Sequence, residues 1–364
     1  LIPLVVDLET AWRGGQNQAL LLLKGMYEHG HAAELITTKG SSLGHRAGQN
    51  GICVHYVSRK MKRWAAARKI REVMRDGRIE LVHANEAHAV TAAWLAGSHR
   101  RAPLVISRRV GYPLGKNWIS RAKYAAAARI VANSKWVAEQ AANSGAQREK
   151  LTVVYEGTEI PAKFTPEKRR AARARWKVAE NEPLLGCVGV LLPDKGQEWL
   201  IRSLAELRKE FPGAKLLLAG DGVCRAQLEA LAKKLGVSNA VIFAGFVKDV
   251  ENVCAALDVF LLPSFFEALN NSLMAAMAYE IPSIAFNLGA LGEIIENGKS
   301  GLLVSGPNVT EICAAVRAVL VNRALAKELG EAGRRRVEEN FTAARMVDGM
   351  IRVYEEALGI ERGS

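Results

Sequence analysis

The chain has 364 residues, 49% apolar and 24% charged, with a mean hydropathy of +0.01. That composition excludes a disordered chain and is enough for two domains of ordinary size, each with its own core. The formal charge is +13, and the whole excess lies in residues 1–165, which hold 25 lysines and arginines against 12 acidic residues, while the rest is balanced at 25 of each sign. The asymmetry predicts that one half meets something anionic. No apolar run approaches the roughly 20 residues that span a bilayer. Residues 1–9 lack a basic leader and read as a buried first strand instead of a signal peptide. The five cysteines (Cys53, Cys187, Cys224, Cys254 and Cys313) are odd in number and contain no C-x-x-C. They predict neither a disulfide framework nor a zinc knuckle, and point to a reducing cytoplasm.

Strand-like and helix-like runs alternate along the chain. Residues 4–8 read as a strand, 16–29 as a helix, 33–37 as a strand, 63–78 as a helix and 80–83 as a strand; strands at 104–107, 129–133 and 151–155 follow. Two prolines break the pattern at residues 160–166, and a basic helix follows at 167–177. The rhythm then restarts. Strands are predicted at 184–190, 215–219, 241–244, 259–262, 282–286 and 301–304, and helices at 198–211, 225–235, 250–256, 271–279, 310–320 and 324–339. This βαβ alternation predicts an α/β fold of two doubly wound, Rossmann-like domains, residues 1–162 and 163–344. Two such halves facing each other place a crevice at the carboxyl ends of their strands, which is where open α/β sheets bind ligands.

The candidate residues therefore lie in loops after strands. Gly14 and Gly15, followed by Gln16, sit between the first strand and a helix, where free N–H groups suit a phosphate or an acidic acceptor; a plain tight turn is the alternative. His83, Asn85, Glu86 and His88 follow one strand, and Arg108 and Arg109 end the next; for His83 a packed structural role is the alternative. In the second half, Gly189 and Val190 lead to Lys195, a point charge able to hold a diphosphate, or else a solvated loop lysine. Gly220, Asp221 and Gly222 end another strand, suiting either a close nucleotide or a turn. Glu267 precedes a helix that begins near Leu269, Asn270, Asn271 and Ser272, whose capped start is a second anion site. Glu267 either accepts sugar hydroxyls or stabilises the helix start.

Residues 59–78 carry nine basic and two acidic residues interleaved with Met61, Trp64, Ala65, Ile70, Val73 and Met74. They read as a basic amphipathic helix that attaches reversibly to an anionic membrane surface, or as a solvated surface helix. No D-x-D and no His/Cys cluster at ligand spacing is present, so no metal is expected. The basic excess has no stacking-aromatic motif beside it, and no nucleic-acid partner is expected.

At these residues the sequence resembles the family-4 glycosyltransferases of the GT-B fold, nearly end to end. Gly14-Gly15, the run from Gly189 to Gly196, 218–222, 241–247 with Phe246 and Val247, the stretch from Pro263 through Glu267 to Ala278, and Glu293 to Val304 all fall in family order. The tail, 345–364, resembles the helix that packs back on the N-terminal domain. Residues 107–113 and 12–16 look most like bacterial members that build surface polysaccharide or lipopolysaccharide. The resemblance implies retaining, metal-independent transfer from a nucleotide-sugar to a lipid-linked or phosphorylated glycan, with no cofactor. The second domain would hold the donor and the first the acceptor. Lys195 would neutralise the leaving diphosphate, and Glu267 would hold donor hydroxyls. The chain departs from the pattern at Ala275, where a second Glu usually binds the ribose, at Val190, where an Arg often stands, and at Glu280, usually Gly. These departures leave a weakened sugar-nucleotide- or glycan-binding subunit of an assembly complex as the alternative; a nucleotide-sugar epimerase is opposed by the Glu267 loop.

Overall fold

The computed structural model describes residues 1–360; the last four residues of the predicted tail lie outside the described residues. The chain forms two compact units, Leu1–Gly157 with the chain from Phe341 onward, and Thr158–Asn340. The first contains a wholly parallel seven-stranded sheet made of β1 (Pro3–Asp7), β2 (Glu34–Thr38), β3 (Cys53–Val57), β4 (Leu81–Ala84), β5 (Leu104–Arg108), β6 (Arg129–Ala132) and β7 (Leu151–Val153). Its order is β3-β2-β1-β4-β5-β6-β7. The second contains β8 (Leu184–Val188), β9 (Lys215–Ala219), β10 (Val241–Gly245), β11 (Val259–Leu262), β12 (Ser283–Phe286) and β13 (Leu302–Val304), ordered β10-β9-β8-β11-β12-β13 and again parallel.

The strands are almost continuously apolar because both faces of each sheet are covered by helices. In the first unit Leu4 and Val6 enter one core with Ile70 and Val82, while Val5 enters the other with Leu22, Leu23 and Met26 of the helix Gly14–Glu28. The strand's period of two thus sends alternate residues into two separate cores. The second of these cores is completed from the far end of the chain. The helix Ala343–Leu358 contributes Met346, Val347, Met350, Ile351, Val353 and Tyr354, all buried.

Two basic segments differ from their sequence reading. In the helix Lys62–Val73, Ile70 and Val73 are buried, as is Met74 just beyond it; all three pack on the sheet. The apolar side of residues 59–78 is therefore not available to a membrane, apart from the exposed Met61 and Trp64. The helix Pro166–Arg175 is basic yet buries Arg173 completely, because Asp258 lies 3.2 Å from its guanidinium and the Ala256 and Ala179 carbonyls accept from it at 2.9 and 2.7 Å. The sequence reading also passes over β3, of mixed polarity, and the helix Ser42–Gln49, short and glycine-containing, both of which carry little periodicity.

Glu280, at a position the resemblance gives to glycine, has φ +61° and is paired with Lys163 at 2.6 Å. A side chain in the left-handed region costs about 1–2 kcal/mol, more than an exposed ion pair returns. Glu280→Gly should unfold at a urea concentration no lower than the native chain does. Glu280→Ala, which keeps the strain and loses the pair, should unfold at a lower one; the reverse order would contradict this account.

Glu86 caps the helix Ala87–Ala96, accepting the N–H groups of His88 and Ala89 at 2.5 and 2.8 Å and that of Leu8 at 3.2 Å. Burial, assisted by the Asp7 carboxylate, pushes it up to about 7 from the ordinary 4.5. Between those values the folded chain keeps a proton that the unfolded chain has lost, so this contribution to stability is lost as pH rises through 7. Glu86→Gln retains an acceptor for the cap and cannot ionise. Urea unfolding at pH 5 and pH 8 should show a larger loss of stability across that interval for the native chain than for the variant; equal losses would refute the assignment.

Candidate functional site

In the second unit, the chain runs from β8 outward to β9 and β10 on one side, and from β11 to β12 and β13 on the other. The sheet therefore has its topological switch point between β8 and β11, the place where the connections leaving the two strands diverge and where open α/β sheets take ligands. Lys195 follows β8 and Glu267 follows β11. Lys195 Nζ donates to Glu267 Oε1 at 2.8 Å, with both side chains largely buried.

The surrounding backbone holds this pair in place. Gly196, at φ +66°, ends the single turn that carries Lys195, and a Cβ there would lie 2.2 Å from the Pro263 carbonyl oxygen. The Phe265 N–H donates to Asp194 O at 2.9 Å, joining the β8 and β11 loops. From the other side the Ala290 N–H donates to Glu267 O at 2.9 Å, and a Cβ on Gly289 (φ +61°) would lie 2.3 Å from that oxygen. The sequence reading counts the strand before Gly289 but not this loop; a glycine soon after a strand was the signal. Asn270 works in two directions. Its Nδ2 donates to Glu267 Oε1 at 3.1 Å, and its Oδ1 accepts from the Leu273 N–H at 2.8 Å, capping the helix Asn271–Ala278. The helix-start reading of Glu267 is met through Asn270, while Oε2 has no hydrogen bond among the described residues. Beneath the pair, burial and the Glu267 carboxylate push the Cys187 thiol up to about 12, so it is neutral and unsuited to nucleophilic attack.

The other donor-side candidates line the same strand ends. Gly220 and Gly222 take the turn reading, because Cβ atoms there would lie 1.9 Å from Gly189 O and 2.3 Å from Leu191 O. They let the β8 and β9 loops touch. Gly189 differs, with open space where its Cβ would stand. Asp221 is paired with Arg225 at 3.4 Å. Val190 and Phe246 are exposed, Val247 is half-buried, and Leu269 is buried. The Val190 carbonyl accepts from buried Gln197 at 3.1 Å, a support the sequence reading missed. Asn271, Ser272 and Ala275 are half-buried on the helix that Asn270 caps.

The first unit has its own switch point, between β1 and β4. It is filled by fully buried Asp7, whose Oδ2 accepts from Gln16 at 3.0 Å and Asn85 at 2.6 Å. Burial pushes this carboxyl up, against those two hydrogen bonds and the charge of Arg109. Asn85 also reaches Gly15 O at 3.4 Å, beside Gly14 at the helix start. Arg109 donates to Asn85 O at 2.8 Å and pairs with Glu156 at 3.0 Å. A small hollow is lined by Gln18, Ser107, Arg109, Asn133 and Glu156. Glu156 and Asn133 had no motif to mark them. His88 is partly exposed, 3.7 Å from Glu9.

Two acceptor-side assignments are corrected. His83 is fully buried between Ser107 Oγ and Tyr354 Oη, both at 2.7 Å, and burial pushes its pKa down to about 3. It is a neutral packing residue that ties the sheet to the C-terminal helix. Arg108 is buried and spent internally on the Tyr112 carbonyl and on Tyr124 Oη at 3.3 Å.

Residues 12–160 match the family description Glycosyltransferase Family 4, and residues 168–336 match Glycosyl transferases group 1. The chain is 32% identical over 294 residues to the D-inositol 3-phosphate glycosyltransferase of Nocardia farcinica, covering 77% of this chain and 62% of that one. It is 30% identical to the protein of the same name from Geodermatophilus obscurus, covering 77% and 67%. The chain thus spans roughly two thirds of the length of these relatives. Among solved structures, Anabaena HepE in complex with UDP and glucose superposes with a TM-score of 0.83 at 21% identity, covering 96% of this chain and 98% of that one. Two Rossmann-like units of seven and six parallel strands, the ordered strand-end loops and these matches lead to one assignment: the chain belongs to the family-4 glycosyltransferases, of GT-B type.

Proposed function

We propose that the chain transfers a sugar from a nucleotide-sugar to a phosphorylated or lipid-linked glycan acceptor, with retention at the anomeric carbon and without a metal. The Lys195–Glu267 contact at the β8/β11 switch point carries this reading. As the glycosidic bond to the diphosphate breaks, negative charge grows on the leaving oxygens. A fixed cation and a helix N-terminus aimed there stabilise the transition state more than the ground state. Lys195 provides the cation and Asn271–Ala278 the helix. The diphosphate competes with Glu267 for Lys195, while Glu267 Oε2 takes a donor-sugar hydroxyl. Exposed Phe246 offers a face to the base, and Gly189 lets the nucleotide approach the backbone. The basic excess of the first half supports an acceptor that carries phosphate. The relatives' printed name, an inositol-phosphate glycosyltransferase, and the UDP and glucose bound by the Anabaena protein support the same substrate classes.

A thermal-shift panel of UDP, GDP, ADP and CMP with their sugars identifies the base, because a ligand that binds the native state raises Tm by mass action. With the donor so found, Glu267→Gln and Lys195→Ala are each expected to lower transfer about 100- to 1000-fold, with circular dichroism unchanged. Near-native turnover in both would overturn the proposal.

The chain also docks reversibly on anionic membranes, in our reading, through one face of its first unit. No helix of the described residues is long and apolar enough to cross a membrane. Trp64 of the helix Lys62–Val73 and Trp118 of the helix Trp118–Ala125 are exposed, together with Met61, Tyr112 and Ile119. Burial and then the charge of Arg63 push the Lys123 ammonium pKa down, and both cations act on His88, so the basic groups of the two helices lie near one another. Interfacial tryptophans beside lysines and arginines suit the headgroup region of anionic lipid. Cosedimentation with phosphatidylglycerol vesicles, weaker in high salt and in the double variant Trp64→Ala/Trp118→Ala, is expected; equal binding to neutral phosphatidylcholine vesicles would refute it.

A further inference from the structure

We propose that Glu34, Cys53 and His55 form a binding site for a divalent transition metal of zinc character on the outer edge of the first sheet, apart from the sugar-transfer chemistry. Nothing in the sequence spacing marks it. The parallel pairing of β2 with β3 creates it, because the register sets Glu34 beside Cys53. Alternation along β3 then brings His55 to the same face as Cys53.

The three donor atoms converge. His55 Nε2 lies 2.6 Å from Glu34 Oε2 and 3.7 Å from Cys53 Sγ, and one ligand atom from each residue falls within 4.8 Å of the others. A thiolate, an imidazole and a carboxylate are the donor types that zinc takes, with a fourth position left to water. Zinc–sulphur and zinc–nitrogen bonds of about 2.3 and 2.05 Å at a tetrahedral angle hold S and N about 3.5 Å apart, close to the separation present. The shorter carboxylate–imidazole distance is a hydrogen bond, which opens by about 0.8 Å to admit the ion. His55 is half-buried and Cys53 exposed, so both can adjust and the site has an entry path.

Glu34 is held for this purpose. Its side chain is 4% exposed, and its Oε1 takes the guanidinium of Arg78, itself tied to Asp76 at 2.7 Å. The arginine spans both carboxylate oxygens, its Nη2 also donating to Oε2 at 3.4 Å, and so fixes the carboxylate plane with the same Oε2 facing His55 at 2.6 Å. Groups that orient a ligand in this way commonly change metal affinity by about 10- to 100-fold. The ion would join β2 to β3, the last strand of the sheet, and so fasten an edge whose outer N–H and C=O groups have no neighbouring strand among the described residues.

The test uses the full reduced chain, with Co2+ and Zn2+ alone as probes. One equivalent of Co2+ should give thiolate-to-cobalt charge-transfer absorption, abolished by added Zn2+ and absent in Cys53→Ser. His55→Ala should weaken Co2+ binding by about tenfold or more. Zn2+ should raise the Tm of the native chain and leave that of His55→Ala unmoved, while in EDTA Cys53→Ser melts with the native chain. Absence of the charge-transfer band at one equivalent, or its survival in Cys53→Ser, would overturn the proposal.

Discussion

Lys195 and Glu267 lie 72 residues apart and touch at 2.8 Å. Only a sheet that reverses its winding direction can bring them together, because β8 and β11 are neighbours in space while β9 and β10 separate them along the chain. The rest of the second unit serves that contact. Gly196 and Gly289 admit backbone from two sides, Phe265 ties the loops, and Asn270 links the carboxylate to the helix start. An ion pair held largely away from water loses hydration on both partners and has to be recovered through geometry and additional hydrogen bonds. The double use of Glu267 Oε1, by Lys195 and Asn270, supplies those bonds without consuming Oε2.

The first unit repeats the sheet plan with a different filling. At its switch point Gln16 and Asn85 donate to Asp7 and Arg109 donates to the Asn85 carbonyl, while Asn85 Oδ1 is buried with no partner among the described residues. Part of its excess positive charge is carried by helices Lys62–Val73 and Trp118–Ala125, which hold five and two basic residues against one acidic. One unit thus holds a preformed charged pair at its switch point and the other a buried polar network.

Much of this was legible in residue order. Parallel strands buried on both faces announce themselves as apolar runs, and β9 and β11 fall where periodicity puts them. Strand-end loops marked by glycine, lysine and glutamate led to the contact that the structure contains. What stayed hidden depends on burial and register. His83 and Arg108 stand at strand ends like ligand-binding residues, and only the packing of Tyr354 and the turn at Tyr112 reveals that they are enclosed. Glu156 and Asn133 stand in no recognisable motif. The grouping of Glu34 with Cys53 exists only after β2 and β3 pair, and β3 itself, mostly not buried, was too mixed in polarity to be read.

The buried bond between His83 and Tyr354 joins residues separated by 271 positions. During synthesis, everything needed for the second unit emerges before Tyr354 does. The first unit, although its sheet is made earliest, must wait on the ribosome with Leu22, Leu23 and Met26 still lacking the cover of Met346, Val347 and Met350. The half that begins first is therefore the half that finishes last, and a nascent chain stopped before residue 341 exposes an open seam of apolar surface for chaperones to hold.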